Sequence, residues 1–170
     1  MGVYGPARDF SISGTARLEL LDVLIEEGRR QNRVFTPDSN PESGGFYRSD
    51  HFSMAKVGVP AVSFGSGDDL VNGGTARSAT IGKDYVTNRY HQPADEVKPD
   101  WDYSGIAQDA ALLHAVGLRL ANSNAWPNWS QDSEFRATRD QTAGERGGAP
   151  VAPQAQPQPQ QPVQTPGERG

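Results

Sequence analysis

Three histidines, 21 acidic residues and no cysteine supply the metal-binding and acid–base side chains of this 170-residue chain. His91 has the most suggestive setting. It stands in Tyr90-His91-Gln92-Pro93-Ala94-Asp95-Glu96, between a glycine-rich stretch and a final helical pattern. Gln92 and Pro93 argue against a regular element there, which leaves the imidazole on an irregular segment, where ligand residues commonly sit. A neutral imidazole is a good zinc ligand when its second nitrogen has an orienting acceptor, and Asp95 is one candidate for that acceptor. From the residues alone two readings stay open: a metal ligand, or a loop histidine with ordinary hydrogen bonds. The neighbouring Tyr90 carries a phenol able to stabilise a developing oxyanion, or is simply a half-buried tyrosine.

Ser49-Asp50-His51 sets a hydroxyl, a carboxylate and an imidazole in a row. Successive side chains on a helix diverge by about 100°, and triads are built from separate segments, so this is no catalytic triad. A hydrogen-bonded knot fixing a short helix, or a cluster supporting a nearby site, fits better. His51 and His91 together would still need two further ligands, and nothing recommends a pair. Hydrolytic metal centres take three or more protein ligands, usually with a carboxylate as general base. The chain has no HExxH motif and no paired Glu-Glu at a strand end. Glu26-Glu27 is adjacent but falls on what reads as a solvated helix face, and His114 reads as a boundary residue of a packed helix. A serine hydrolase using Ser49 or Ser66 fails as well, because Gly65-Ser66-Gly67 lacks the full G-x-S-x-G elbow and a helix to receive it.

The elements that must position these residues follow from periodicity. Asp9 to Ser13 reads as a strand, and Leu18, Leu21, Leu24 and Ile25 give Ala16 to Gln31 a helical period. Arg33 to Thr36 is a second strand candidate. Ser49 to Lys56 reads as a short helix capped by Ser49 and ended by Gly58, and Pro60 to Phe64 as a buried strand. The glycine-rich Gly65 to Gly82 is expected to be a long loop. After Asp102, Ile106, Ala110, Leu113, Gly117 and Leu120 fall on one helical stripe, with Gly117 marking close packing. Strands alternating with helices predict an α/β layer arrangement. So few strands leave exposed edges, as in half of a larger sheet.

Composition narrows the class. A net charge of -5, without a basic run, argues against nucleic acid as a partner. No stretch approaches the ~18 apolar residues of a membrane-spanning helix. Residues 1–140 are expected to form the folded part. The Pro/Gln-rich residues 141–170 are expected to be a disordered tail, too poor in apolar side chains to offset the entropy of ordering them.

The run Gly45-Phe46-Tyr47-Arg48-Ser49-Asp50-His51-Phe52-Ser53, then Ala55-Lys56-Val57-Gly58-Val59-Pro60-Ala61, resembles the late catalytic segment of the M28-class zinc aminopeptidases. Tyr90 to Glu96 resembles their final metal motif. Trp101 to Ser123 with Trp126-Pro127-Asn128-Trp129 resembles the closing helix and tail of bacterial members. The resemblance spans roughly Tyr4 to Asp140.

It implies the C-terminal portion of a zinc-exopeptidase fold, a partial mixed β-sheet with flanking helices, and a family reaction that removes N-terminal residues from peptides at two zinc ions. By this resemblance His91 is the last zinc ligand and Tyr90 holds the oxyanion. Asp50 and His51 support the site without binding metal, and Gly65 to Arg89 forms part of the pocket rim. The family's early His, bridging Asp, Glu-Glu pair and further Asp have no counterpart here. The chain is therefore expected to be inactive alone, with weak zinc binding or none. That makes it a truncated product, a mis-called start, or one half of a split enzyme that pairs with an N-terminal half. The resemblance also implies a periplasmic or secreted parent, although MGVYGPARDF has neither a basic nor an apolar leader region. The alternative is a non-catalytic interaction module, in which the Pro/Gln tail acts as a spacer or a ligand for an aromatic groove.

Overall fold

The computed structural model describes residues 2–15 and 18–145. Residues 146–170, which hold most of the expected tail, lie outside the described residues. Strand β1 (Asp9–Ile12) is central in a three-stranded mixed sheet of order β2-β1-β3. Helix α1 (Glu19–Arg30) carries the chain across to β2 (Val34–Phe35), so the two strands run parallel, with Asp9 opposite Val34 and Phe10 opposite Phe35. Strand β3 (Phe64–Ser66) pairs antiparallel on the other side, with Ile12 opposite Phe64. Around these lie α2 (His51–Lys56), α3 (Gly74–Asn88), α4 (Ser104–Ala121) and α5 (Arg136–Gln141). No described helix is long and apolar enough to cross a membrane.

Alternation along β1 explains the main core. Phe10 and Ile12 point into a cluster with Leu24 of α1 and with Leu112 and Val116 of α4, all buried. Phe35 and Phe64 flank Phe10, with ring centroids 5.8 and 6.1 Å away. Gly28 lets α1 lie directly on this ring: a Cβ there would stand 2.3 Å from Phe10 Cε1. A second cluster gathers Leu18, Phe46, Ala55 and Trp129. Trp129 donates its indole N–H to Gly58 O at 3.0 Å, so its polar edge is satisfied inside the protein.

The buried face of α4 is turned from the stripe the sequence suggests. Gly105, Asp109, Leu112 and Val116 face inward, whereas Ile106 and Leu113 are exposed and Gly117 has open space where a Cβ would be. A glycine and a carboxylate conceal the inward face from an apolar count. Gly105 is the position of close approach, since a Cβ would lie 2.2 Å from Gly5 O. Asp109 is tolerated inside because it pairs with the buried Arg33 at 2.8 Å and accepts a hydrogen bond from Ser66 at 2.5 Å. Arg33 in turn donates to Asp9 O through Nε and one terminal nitrogen.

Four other expectations change. The stretch expected to be a loop up to Gly82 contains the start of α3, whose only buried residue is Ser78, so it carries no apolar stripe to read. Strand β3 begins at Phe64, where Pro60 to Phe64 had been expected. Ser49 does not cap α2; its hydroxyl donates back to Gly45 O at 2.9 Å. Glu27 is buried, against the solvated face expected for Glu26-Glu27, and it pairs with Arg30 and Arg119. That pairing makes it a packing carboxylate rather than a free base.

Candidate functional site

Helix α3 delivers the Tyr90–His91 turn. Its C-terminus is tied by Arg89 and Tyr90 amides that both donate to Tyr85 O at 2.9 Å. His91 then takes a left-handed conformation with φ of 57°, which breaks the helical path and turns the chain outward. Its ring stacks on Tyr90 with centroids 3.8 Å apart and planes 23° from parallel. Tyr90 is 49% exposed and His91 is exposed as well. The imidazole and the phenol are thus presented together to solvent, open to whatever approaches the turn.

Asp95 does not orient His91 here. Its carboxylate accepts the Tyr85 hydroxyl at 2.9 Å, and this hydrogen bond holds the Tyr85 phenol above its ordinary range. Tyr85 also lies against Tyr90, centroid to centroid 5.8 Å. Tyr85 therefore braces the turn through both Tyr90 and Asp95, a role its position beyond the expected Gly65–Gly82 loop did not suggest. The only sequence signal was a second tyrosine five residues before Tyr90. Gln92 adds a side-chain hydrogen bond to Thr87 O at 3.3 Å.

Asp50 and His51 occupy the start of α2. Asp50 is exposed, and His51 is half-buried with its ring edge against Phe46 at 4.6 Å. His51 Nε2 is buried without a hydrogen-bond partner, and desolvation pushes the imidazole below its usual range, against an opposing pull from Asp50. Ser49, Asp50 and His51 form no hydrogen bond with one another, so the knot expected from their adjacency is replaced by packing on Phe46. Among the described residues, no hydrogen bond or ring contact joins this pair to the Tyr90–His91 turn. His114 lies exposed on α4.

The described residues gather no group of three His, Asp or Glu side chains able to hold a metal ion. A lone exposed imidazole does not fit a two-zinc centre, which requires several converging donors for each cation. The described residues therefore do not assemble a complete metal site.

Neither among curated proteins nor among solved structures does the chain find a match. A family model, that of peptidase family M28, matches residues 1–115, a span that contains β1 to β3, the Asp50–His51 pair, the Tyr90–His91 turn and most of α4. With well over half of its length matched, the chain belongs to peptidase family M28.

Proposed function

We propose that this chain takes part in zinc-dependent hydrolysis of N-terminal peptide bonds, an aminopeptidase reaction on a peptide substrate. In this reading His91 is one metal-binding imidazole and Tyr90 is the phenol that steadies the oxyanion. Asp50 and His51 act as supporting residues. The other metal donors and the general base come from outside these 170 residues, and the chain alone is inactive. The observation that carries the reading is the paired, outward presentation of Tyr90 and His91 on the turn after α3, in a member of a peptidase family. The exposed Ile106 and Leu113, seven residues apart and so on the same side of α4, also support it, because they leave apolar surface that a complementary segment would cover.

Calorimetric zinc titration of the purified chain tests the first half of the reading. The expected result is no tight stoichiometric binding, and two tightly held zinc ions would overturn it. The second half is tested by adding a polypeptide that carries the upstream donors. Zinc-dependent release of N-terminal amino acids should appear with the wild-type chain and disappear with His91→Ala. Release that persists in His91→Ala would remove His91 from the site.

A further inference from the structure

The two edges of the sheet are not equivalent. The Val34 and Thr36 amides donate to Arg8 O and Phe10 O, so the main-chain groups of Arg33, Phe35 and Pro37 point away from β1. Arg33 N–H is already held by Gly28 O and Pro37 has no N–H, which closes that edge to a further strand. On the other side Ser13 N–H donates to Ser63 O at 2.9 Å, which turns Ser63 and Gly65 toward β1 and the main-chain groups of Phe64 and Ser66 outward. Among the described residues, these outward groups make no hydrogen bond. The geometry points to a second copy of this chain on this edge, with β3 pairing antiparallel to its own counterpart about a two-fold axis. Phe64 would exchange its N–H and C=O reciprocally with the same residue of the second copy.

One flank of α4 calls for the same neighbour. Arg119 pairs with Glu26 and Glu27, which places α1 against the other flank. Ile106, Ala110, Leu113 and Gly117 lie away from α1, all exposed and none charged. Gly2 shows where this flank stands, because a Cβ there would be 3.0 Å from Ile106 Cγ1 and 3.2 Å from Ser66 Oγ, on the β3 side. Helix α4 lies over β1 and β3, meeting Phe10 in the core cluster through Leu112 and Ser66 through Asp109. Strands stand ~4.8 Å apart, so a second β3 beside the first sets the second α4 two spacings away, roughly 10 Å, the packing distance of two helices. Gly117, with open space where a Cβ would be, permits the close approach. A two-fold pair thus satisfies the strand edge and the helix flank together, each copy supplying the same uncharged patch. The donor-bearing polypeptide of the catalytic reading would need this surface too, so the two occupants exclude one another.

Sedimentation equilibrium of the full chain alone, between micromolar and millimolar concentration, is the test, with amide hydrogen exchange followed at both ends of the range. A monomer–dimer equilibrium is expected. The Phe64 amide should exchange about tenfold more slowly in the dimer, while the outward Phe35 amide is unchanged. Leu113→Lys sets like charges against each other across the axis and should weaken association about tenfold. Leu118→Lys, exposed on another side of α4, should leave it unchanged. Ala110→Lys, on the same flank as Leu113, takes the place of Leu113→Lys if circular dichroism shows that variant unfolded. A monomer at every concentration, dimers indifferent to the lysine on this flank, or protection at Phe35 and not at Phe64 would overturn the proposal. Neither zinc nor peptide cleavage enters the measurement, so its failure and that of the catalytic reading are separate results.

Discussion

The β1–α1–α4 core and the α3 arm use side chains for opposite ends. In the core, Phe10, Ile12 and Leu112 are sealed from solvent, and even the charges of Arg33 and Asp109 are paired inside. Along α3 only Ser78 is buried, and its hydroxyl donates to Asp68 at 2.8 Å. The arm ends in the exposed Tyr90–His91 stack. Stability is therefore concentrated in one region and the potential chemistry in the other, and substitutions in the two should behave independently.

The largest test of that separation is Asp109→Ala. It leaves the Arg33 guanidinium buried and unpaired, and a loss of about 3–5 kcal/mol in denaturant unfolding is expected. Replacing both partners with apolar residues should recover much of the loss; a double substitution as damaging as the single one would show that the charges themselves hold the core. Gly28→Ala comes next, because the new methyl group meets the Phe10 ring. Overpacking of this kind costs about 1–3 kcal/mol, readable as a lower denaturation midpoint.

A smaller effect concerns pH. The imidazole of His51 is pushed down from its usual 6.5 by burial, so the unfolded chain takes up its proton first. The contribution of this group is then fully present above pH 6.5 and declines as pH falls toward the lowered folded value. Thermal melts between pH 7.5 and 5 should show a decline that His51→Gln reduces. An identical slope in the variant would remove His51 as the cause. Smallest of all, His91→Ala should alter stability by no more than about 0.5 kcal/mol, as for an exposed side chain whose ring contact is with the equally exposed Tyr90. A larger loss would mean that the arm contributes to the core after all.

The legible parts of the sequence were those where burial follows apolar spacing. Leu18, Leu21, Leu24 and Ile25 announced α1, and the apolar residues around Phe10 announced β1. The mixed sheet with flanking helices was anticipated through the resemblance carried by the Gly45–Ala61 and Tyr90–Glu96 segments. What stayed hidden lacked an apolar signature. Helix α3 buries a serine, and α4 turns a glycine and an aspartate inward, so counting hydrophobic residues located the wrong face of α4. The Tyr90–His91 turn was visible as a motif. Its bracing by Tyr85 was not, because the Tyr85–Asp95 hydrogen bond spans a helix end that residue types alone did not reveal.

Trp129 has a practical implication for anyone dividing the protein. It lies past the last residue of the family match, yet its indole roofs Leu18, Phe46 and Ala55 and clasps the backbone of Gly58. The homology boundary and the folding boundary therefore do not coincide. A version ended straight after α4 would be unroofed above the helix that begins at His51, and this loosening would originate in residues remote in sequence from everything it disturbs.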